Sequence, residues 1–129
     1  MSSSVHLIVM ERKVINYDLE QAEVFYYPEF YDSKKADALF QRLQSNISWQ
    51  SDEIKLFGKT HAIPRLQAWY GDPGASYSYS SINLKPYAWN PILKEIKHHI
   101  EKITNHQFNS VLLNLYRNGQ DSNGWHSDD

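Results

Sequence analysis

Four polar side chains near the end of the chain are spaced for chemistry: Asn114, Tyr116, His126 and Asp128. In an extended segment, side chains two residues apart project to the same face. His126 and Asp128 then point together, with Cα atoms roughly 6.5–7 Å apart at about 3.3 Å rise per residue. An imidazole nitrogen and a carboxylate oxygen at that spacing can converge on one metal ion. Two histidines and one carboxylate with open positions make the ligand set of non-haem Fe(II) centres, and this triplet supplies two of the three. Asn114 and Tyr116 offer an amide and a phenol to an anionic small molecule beside such a metal. His-x-Asp by itself also describes an ordinary surface turn. The strong strand before it and the lack of any cysteine or competing His-rich cluster raise the metal reading.

The elements that must position these groups are legible as patterns. Residues 110–116 alternate as a strand, with Val111, Leu113 and Leu115 on one face and Leu112, Asn114 and Tyr116 on the other. An apolar face opposite a polar one predicts a sheet covered by a helix on one side and lining a pocket on the other. Asn90-Pro91 is a helix start, a capping side chain followed by proline at the first helical position. That helix is expected to run to about Thr104 with Leu93, Ile96, Ile100 and Ile103 as its buried stripe, closed by Asn105. A second helix is expected over 34–46, capped by Asp32 or Ser33, with Ala36, Leu39, Phe40, Leu43 and Ile47 inward. Residues 22–27 suit a strand ended by Pro28. Residues 47–57 are strand-like, Gly58-Lys59 a turn and 63–70 a strand, so 54–70 suggests a hairpin with Phe57 near its tip. Gly71-Asp72-Pro73-Gly74 signals another turn, followed by an extended piece at 77–80. His98 and His99 are adjacent on a helix and diverge by about 100°, which favours packing over metal binding.

The chain has 129 residues, enough for one domain with a core, and residues 1–21 are expected to form an N-terminal arm before it. There are no cysteines, which excludes a disulfide framework and any thiolate metal site. Neither a signal peptide nor a stretch of transmembrane length is discernible, so no membrane association is expected, and an intracellular setting is (cytoplasm in a bacterium, nucleus or cytoplasm in a eukaryote). Net charge is −2 but unevenly distributed. Residues 1–54 carry a net −4, residues 55–119 a net +5 and the last ten residues a net −3. A basic middle section can face phosphates, although Lys94, Lys97 and Lys102 also suit a solvated helix face.

Residues 114–129, Asn-Leu-Tyr-Arg-Asn-Gly-x-Asp-x-x-x-Trp-His-Ser-Asp-Asp, resemble the AlkB family of Fe(II)- and 2-oxoglutarate-dependent dioxygenases, which repair alkylated nucleic acid. The resemblance extends back to about Ile54 through Leu56-Phe57-Gly58-Lys59, Pro64-Arg65-Leu66-Gln67-Ala68-Trp69-Tyr70-Gly71-Asp72, Tyr77-Ser78-Tyr79-Ser80 and Phe108-Asn109. It implies an α+β fold, the N-terminal part of a double-stranded β-helix (jelly roll) with two flanking helices. Residues 22–129 would be a partial dioxygenase domain, with a nucleotide-recognition region at about 54–82. His126 and Asp128 match iron ligands and catalytic residues, and Asn114 and Tyr116 match contacts to 2-oxoglutarate. Tyr77 and Tyr79 match a lid over a flipped base, Arg65 a pocket arginine with Asp129 as its partner, and Phe57 a wedge that fills the vacated base step.

The implied reaction is oxidative demethylation of N-alkylated bases in DNA or RNA, using dioxygen, Fe(II) and 2-oxoglutarate and releasing formaldehyde. Family members continue past the position of Asp129 through strands that carry a third ligand, a distal histidine, and carboxylate-binding arginines. His61, His98, His99 and His106 all lie upstream of that place. An acidic residue directly after the Asp pair is also missing. The expectation is therefore an incomplete jelly roll with the third ligand absent and little activity of this chain alone. The alternatives are a non-catalytic nucleic-acid-binding fragment or a related dioxygenase acting on RNA or protein.

Overall fold

The computed structural model describes residues 15–75, 77–79 and 82–126, with the backbone alone for 77–79 and 82–84. The elements run β1 Ile15–Leu19, β2 Ala22–Tyr26, α1 Ser33–Asn46, β3 Glu53–Leu56, β4 Lys59–Ala62, β5 Leu66–Gly71, β6 Tyr77–Tyr79, β7 Ile82–Leu84, α2 Pro91–Thr104 and β8 Ser110–Leu115. Among the described residues the fold is α+β: two helices with four two-stranded antiparallel pairs, β1–β2, β3–β4, β5–β8 and β6–β7. No described helix is long and apolar enough to cross a membrane. The described chain divides into two compact units, a sheet unit (47–89 with 109–126) and a helical unit (15–46 with 90–108).

In the helical unit, α1 begins where the Asp32 carboxylate accepts from Lys35 N at 2.7 Å, satisfying a donor that the first turn leaves open. Asn90 does the same for α2, accepting from Leu93 N at 2.8 Å. Asn105 ends α2 in the left-handed conformation (φ 55), with its N–H on Glu101 O. The core is apolar: Leu39 and Leu43 of α1 with Ile92, Leu93 and Ile96 of α2, and Phe30 packed by Tyr27, Tyr31, Ile100 and Ile103. The expected inward residue Ala36 is exposed, and Ile92, outside the expected stripe, is buried. His99 lies 4.2 Å from the Phe30 ring and 5.3 Å from that of Tyr31, centroid to centroid, as a packed aromatic. Lys35 and Arg42 of α1 both reach Glu95 of α2, at 2.7 and 3.6 Å. Residues 15–19, within the expected N-terminal arm, form β1 and pair with β2, placing Ile15, Tyr17, Leu19, Val24 and Tyr26 on one exposed face.

In the sheet unit, the expected 54–70 hairpin is instead β3–β4, closed by Phe57-Gly58. Both turn residues have positive φ (51 and 75), as a two-residue turn matching strand twist requires. Pro64, which has no N–H, follows the ladder, and the next strand, β5, pairs elsewhere. Its partner is β8, in the register Leu66↔Leu115 to Gly71↔Ser110. At the far end the strands approach so closely that a Cβ on Gly71 would sit 2.7 Å from Asn109 O, so only glycine fits. The other edge of β5 is occupied by Gln50, which exchanges two backbone bonds with Gln67 (2.8 and 2.9 Å), and by Tyr87, bonded to Trp69 O and Gly71 N. Ala68, Tyr70, Leu113 and Leu115 form the apolar face of β5–β8 and are buried, as the alternation predicts.

Candidate active site

The opposite face of β5–β8 carries Trp69 and Leu112 toward one end and polar groups toward the other. Gln67 stands directly across from Asn114. Both backbone groups of Gln67 are taken by Gln50, so this cross-strand pair is of the non-hydrogen-bonded kind. Side chains approach closest there, with Cα atoms about 4.5 Å apart. The two carboxamides meet at 3.1 Å. Arg65 lies one alternation before Gln67, and Tyr116 one alternation after Asn114, on the same side. Arg65 and Gln67 are only 6% and 5% exposed, while Asn114 and Tyr116 are half-buried. Four side chains that can bind carboxylates or bases thus share one face.

The segment leading to His126 is built as a closed turn. Arg117 grips Asp121 with its backbone N–H (2.8 Å) and with a fork of Nε (2.8 Å) and Nη2 (3.0 Å). Those hydrogen bonds, the side-chain one first, hold the Asp121 carboxyl below the usual carboxylate range, and Asp121 in turn raises Arg117. Asn118 caps the turn, its side chain accepting from Gln120 N at 2.8 Å. Two bonds then tie the turn to the start of β5: Ser122 N donates to Pro64 O at 2.8 Å, and Arg65 Nη1 donates to Ser122 O at 3.3 Å.

His126 is exposed, and its Nδ1 lies 2.8 Å from Gly124 O. A carbonyl can only accept, so Nδ1 carries the proton in this contact and the lone pair of a neutral ring falls on Nε2. A ring whose second nitrogen donates to a backbone carbonyl is the usual arrangement of a metal-ligating histidine. The residues thus fit an iron at the level of donor chemistry. Among the described residues no group of three His, Cys, Asp or Glu side chains is placed to hold a metal. The other expected ligand, Asp128, lies outside the described residues, as does Asp129. The donors of Arg65 are directed to Ser122 O and the Gln67 amide. Asn114 and Tyr116 fit 2-oxoglutarate, presenting an amide and a phenol from one face. Tyr77 and Tyr79 are placed on β6, and their side chains lie outside the description.

Phe57 projects entirely into solvent at its hairpin tip, flanked by Lys55 and Lys59. Gln67, Gln50 and Ser122 were not singled out from the sequence. Gln67 lay within a recognised motif, but its relevance depends on the β5–β8 register, which no local pattern states.

A family model for the 2OG-Fe(II) oxygenase superfamily matches residues 23–129, and the chain belongs to that superfamily. Within it, similarity falls in the AlkB family. The chain is 43% identical over 109 residues to human "Alpha-ketoglutarate-dependent dioxygenase alkB homolog 3", covering 84% of this chain and 37% of the relative. It is 38% identical over 106 residues to human "DNA oxidative demethylase ALKBH2", covering 80% and 41%. Against the Arabidopsis thaliana protein described as "DNA oxidative demethylase ALKBH2" it is 31% identical over 112 residues, covering 84% and 36%. The chain therefore spans well under half the length of these curated relatives. Fe(II) and 2-oxoglutarate are the cofactor and cosubstrate that the superfamily implies.

Proposed function

We propose that this chain carries the cosubstrate-binding and base-recognition part of an oxygenase that demethylates N-alkylated bases in DNA or RNA, on the N-terminal portion of a jelly roll. The observation that carries this reading is the set of polar groups on one face, buried at Arg65 and Gln67 and half-buried at Asn114 and Tyr116, tied by two hydrogen bonds to the turn that leads to His126. Burying such groups costs stability unless each is hydrogen-bonded.

His126 and Asp128 would hold Fe(II) as two of its protein ligands. Iron held there would supply the oxidising chemistry, by which one atom of dioxygen would enter the methyl C–H bond and the other would convert 2-oxoglutarate to succinate and CO2, the hydroxymethyl group leaving as formaldehyde. The protein groups bind and orient. Asn114 and Tyr116 take the cosubstrate. Phe57, exposed between Lys55 and Lys59, suits insertion between bases while the lysines meet phosphates. Tyr77 and Tyr79 would stack on and hydrogen-bond the extruded base, with Arg65 and Asp129 beside it.

Two titrations test this. 2-Oxoglutarate added with Mn(II) should bind this chain, and Asn114→Ala should weaken that binding. A single-stranded oligonucleotide carrying one N-methylated base should bind more tightly than its unmethylated twin, with Phe57→Ser weakening both. Absence of 2-oxoglutarate binding together with equal affinity for the two oligonucleotides would sink the proposal.

A further inference from the structure

We infer that Gln67 is a positioning residue. Its carbonyl oxygen, held by the buried Arg65 guanidinium, fixes which way round the Asn114 carboxamide is presented. The inference rests on the reading of Asn114 as a cosubstrate contact. Its geometric part stands apart from that reading.

The argument runs through polarity. A guanidinium has only donors. One terminal atom of the Gln67 amide lies 3.1 Å from Arg65 Nε and 3.2 Å from Arg65 Nη2. Whatever faces that fork must accept, so the atom is the oxygen. The same atom lies 3.1 Å from the terminal atom of Asn114. Two amide oxygens repel at that distance, so Asn114 must present its NH2 there and turn its carbonyl the other way. One group whose polarity cannot reverse, Arg65, thus sets two that can. A single Gln67 oxygen accepts from both the arginine and the asparagine.

The framework around this relay is rigid. The Gln67 backbone is bonded on both sides to Gln50, its side chain is 5% exposed, and Arg65 is itself anchored on Ser122 O. An amide oriented before the ligand arrives loses no rotamer freedom on binding. The positive charge of Arg65 also polarises the chain of bonds through Gln67 toward Asn114.

Side-chain NMR tests the geometry without mutation. Arg65 Hε and the Asn114 side-chain amide protons converge on one oxygen, so a cross-peak between them is expected. A cross-peak to Arg65 Hε stronger from the Gln67 amide protons than from those of Asn114 would overturn the inference. Substitution then tests the consequence. Gln67→Leu removes the acceptor and should speed exchange of both the Arg65 Hε and Asn114 amide protons. It should also weaken 2-oxoglutarate binding, measured with Mn(II), by about tenfold. Gln67→Glu keeps an acceptor toward both neighbours and should hold affinity within about threefold of the parent. A glutamate variant worse than the leucine variant would show that Gln67 donates to Asn114 and would refute the relay. So would a leucine variant with unchanged Asn114 exchange. If Asn114→Ala leaves 2-oxoglutarate affinity intact, the cosubstrate reading fails while the exchange data still judge the relay.

Discussion

The helical unit and the sheet unit solve burial differently. In the helical unit the most deeply buried side chains are apolar, Phe30, Leu39, Leu43, Ile92, Leu93 and Ile96; the Tyr31 hydroxyl and the partly buried Lys97–Glu101 pair are polar exceptions, and Lys35 and Arg42 meet Glu95 at the rim. In the sheet unit, Ile63, Ala68, Tyr70, Leu113 and Leu115 share the interior with an arginine and a glutamine. Taking a guanidinium and an amide out of water is unfavourable, and apolar replacements of similar volume often stabilise. One unit is therefore organised for stability, while the other gives some up to hold polar groups in fixed directions.

The comparison can be broken at several points. The largest expected effect is in the helical unit: Leu39→Ala, at a position 1% exposed, should cost about 2–5 kcal/mol in urea unfolding, since a cavity remains. Arg65→Leu comes next. It strands the oxygens of Gln67 and Ser122 and should cost about 1–3 kcal/mol. A stabilising outcome would mean that the polar face is not maintained by its own hydrogen bonds, and the contrast between units would fall. Phe57→Asn should move stability the other way, by about 0.5–1 kcal/mol, because asparagine tolerates the positive φ of that turn. The same variant should bind nucleic acid less well, which separates the strain at the tip from the purpose of its ring.

Tyr31→Phe should change stability least at neutral pH. The Tyr31 hydroxyl is buried with no hydrogen-bond partner among the described residues, so removing it should be neutral or slightly favourable. Burial first, and Glu95 second, raise this phenol to about 12 from 10.0. The folded state therefore holds the proton more tightly than the unfolded one. Its contribution is complete below the unfolded value near 10 and is lost as pH climbs toward 12. Thermal melts of the parent across that window should fall more steeply than those of Tyr31→Phe. Parallel curves would remove Tyr31 as the cause.

Local features were legible in the sequence because local chemistry determines them. Asn90-Pro91 and Asn105 bracket α2 as expected, and the alternation of 110–116 places Asn114 and Tyr116 on the face opposite Leu113 and Leu115. Phe57 at a hairpin tip followed from Gly58. Non-local features were not legible. The partner of β5 is a strand that begins 39 residues beyond its end, at Ser110 after Gly71, and Pro64 divides the expected single hairpin. The strand at residues 15–19 is not legible locally, because five residues of alternation are a weak signal without the facing strand. Gln67 was visible as a letter in a motif, but only the register with Asn114 and the fork of Arg65 give it a task.

The β5–β8 pairing also bears on the order in which the molecule is made. Leu66 and Leu115 are neighbours only after a loop of nearly fifty residues has closed, whereas the β3–β4 hairpin closes across two. Loop closure must be completed before the contacts that reward it form. On a nascent or refolding chain the hairpin bearing Phe57 would mature early, and the face bearing Arg65, Gln67 and Asn114 would assemble among the last features.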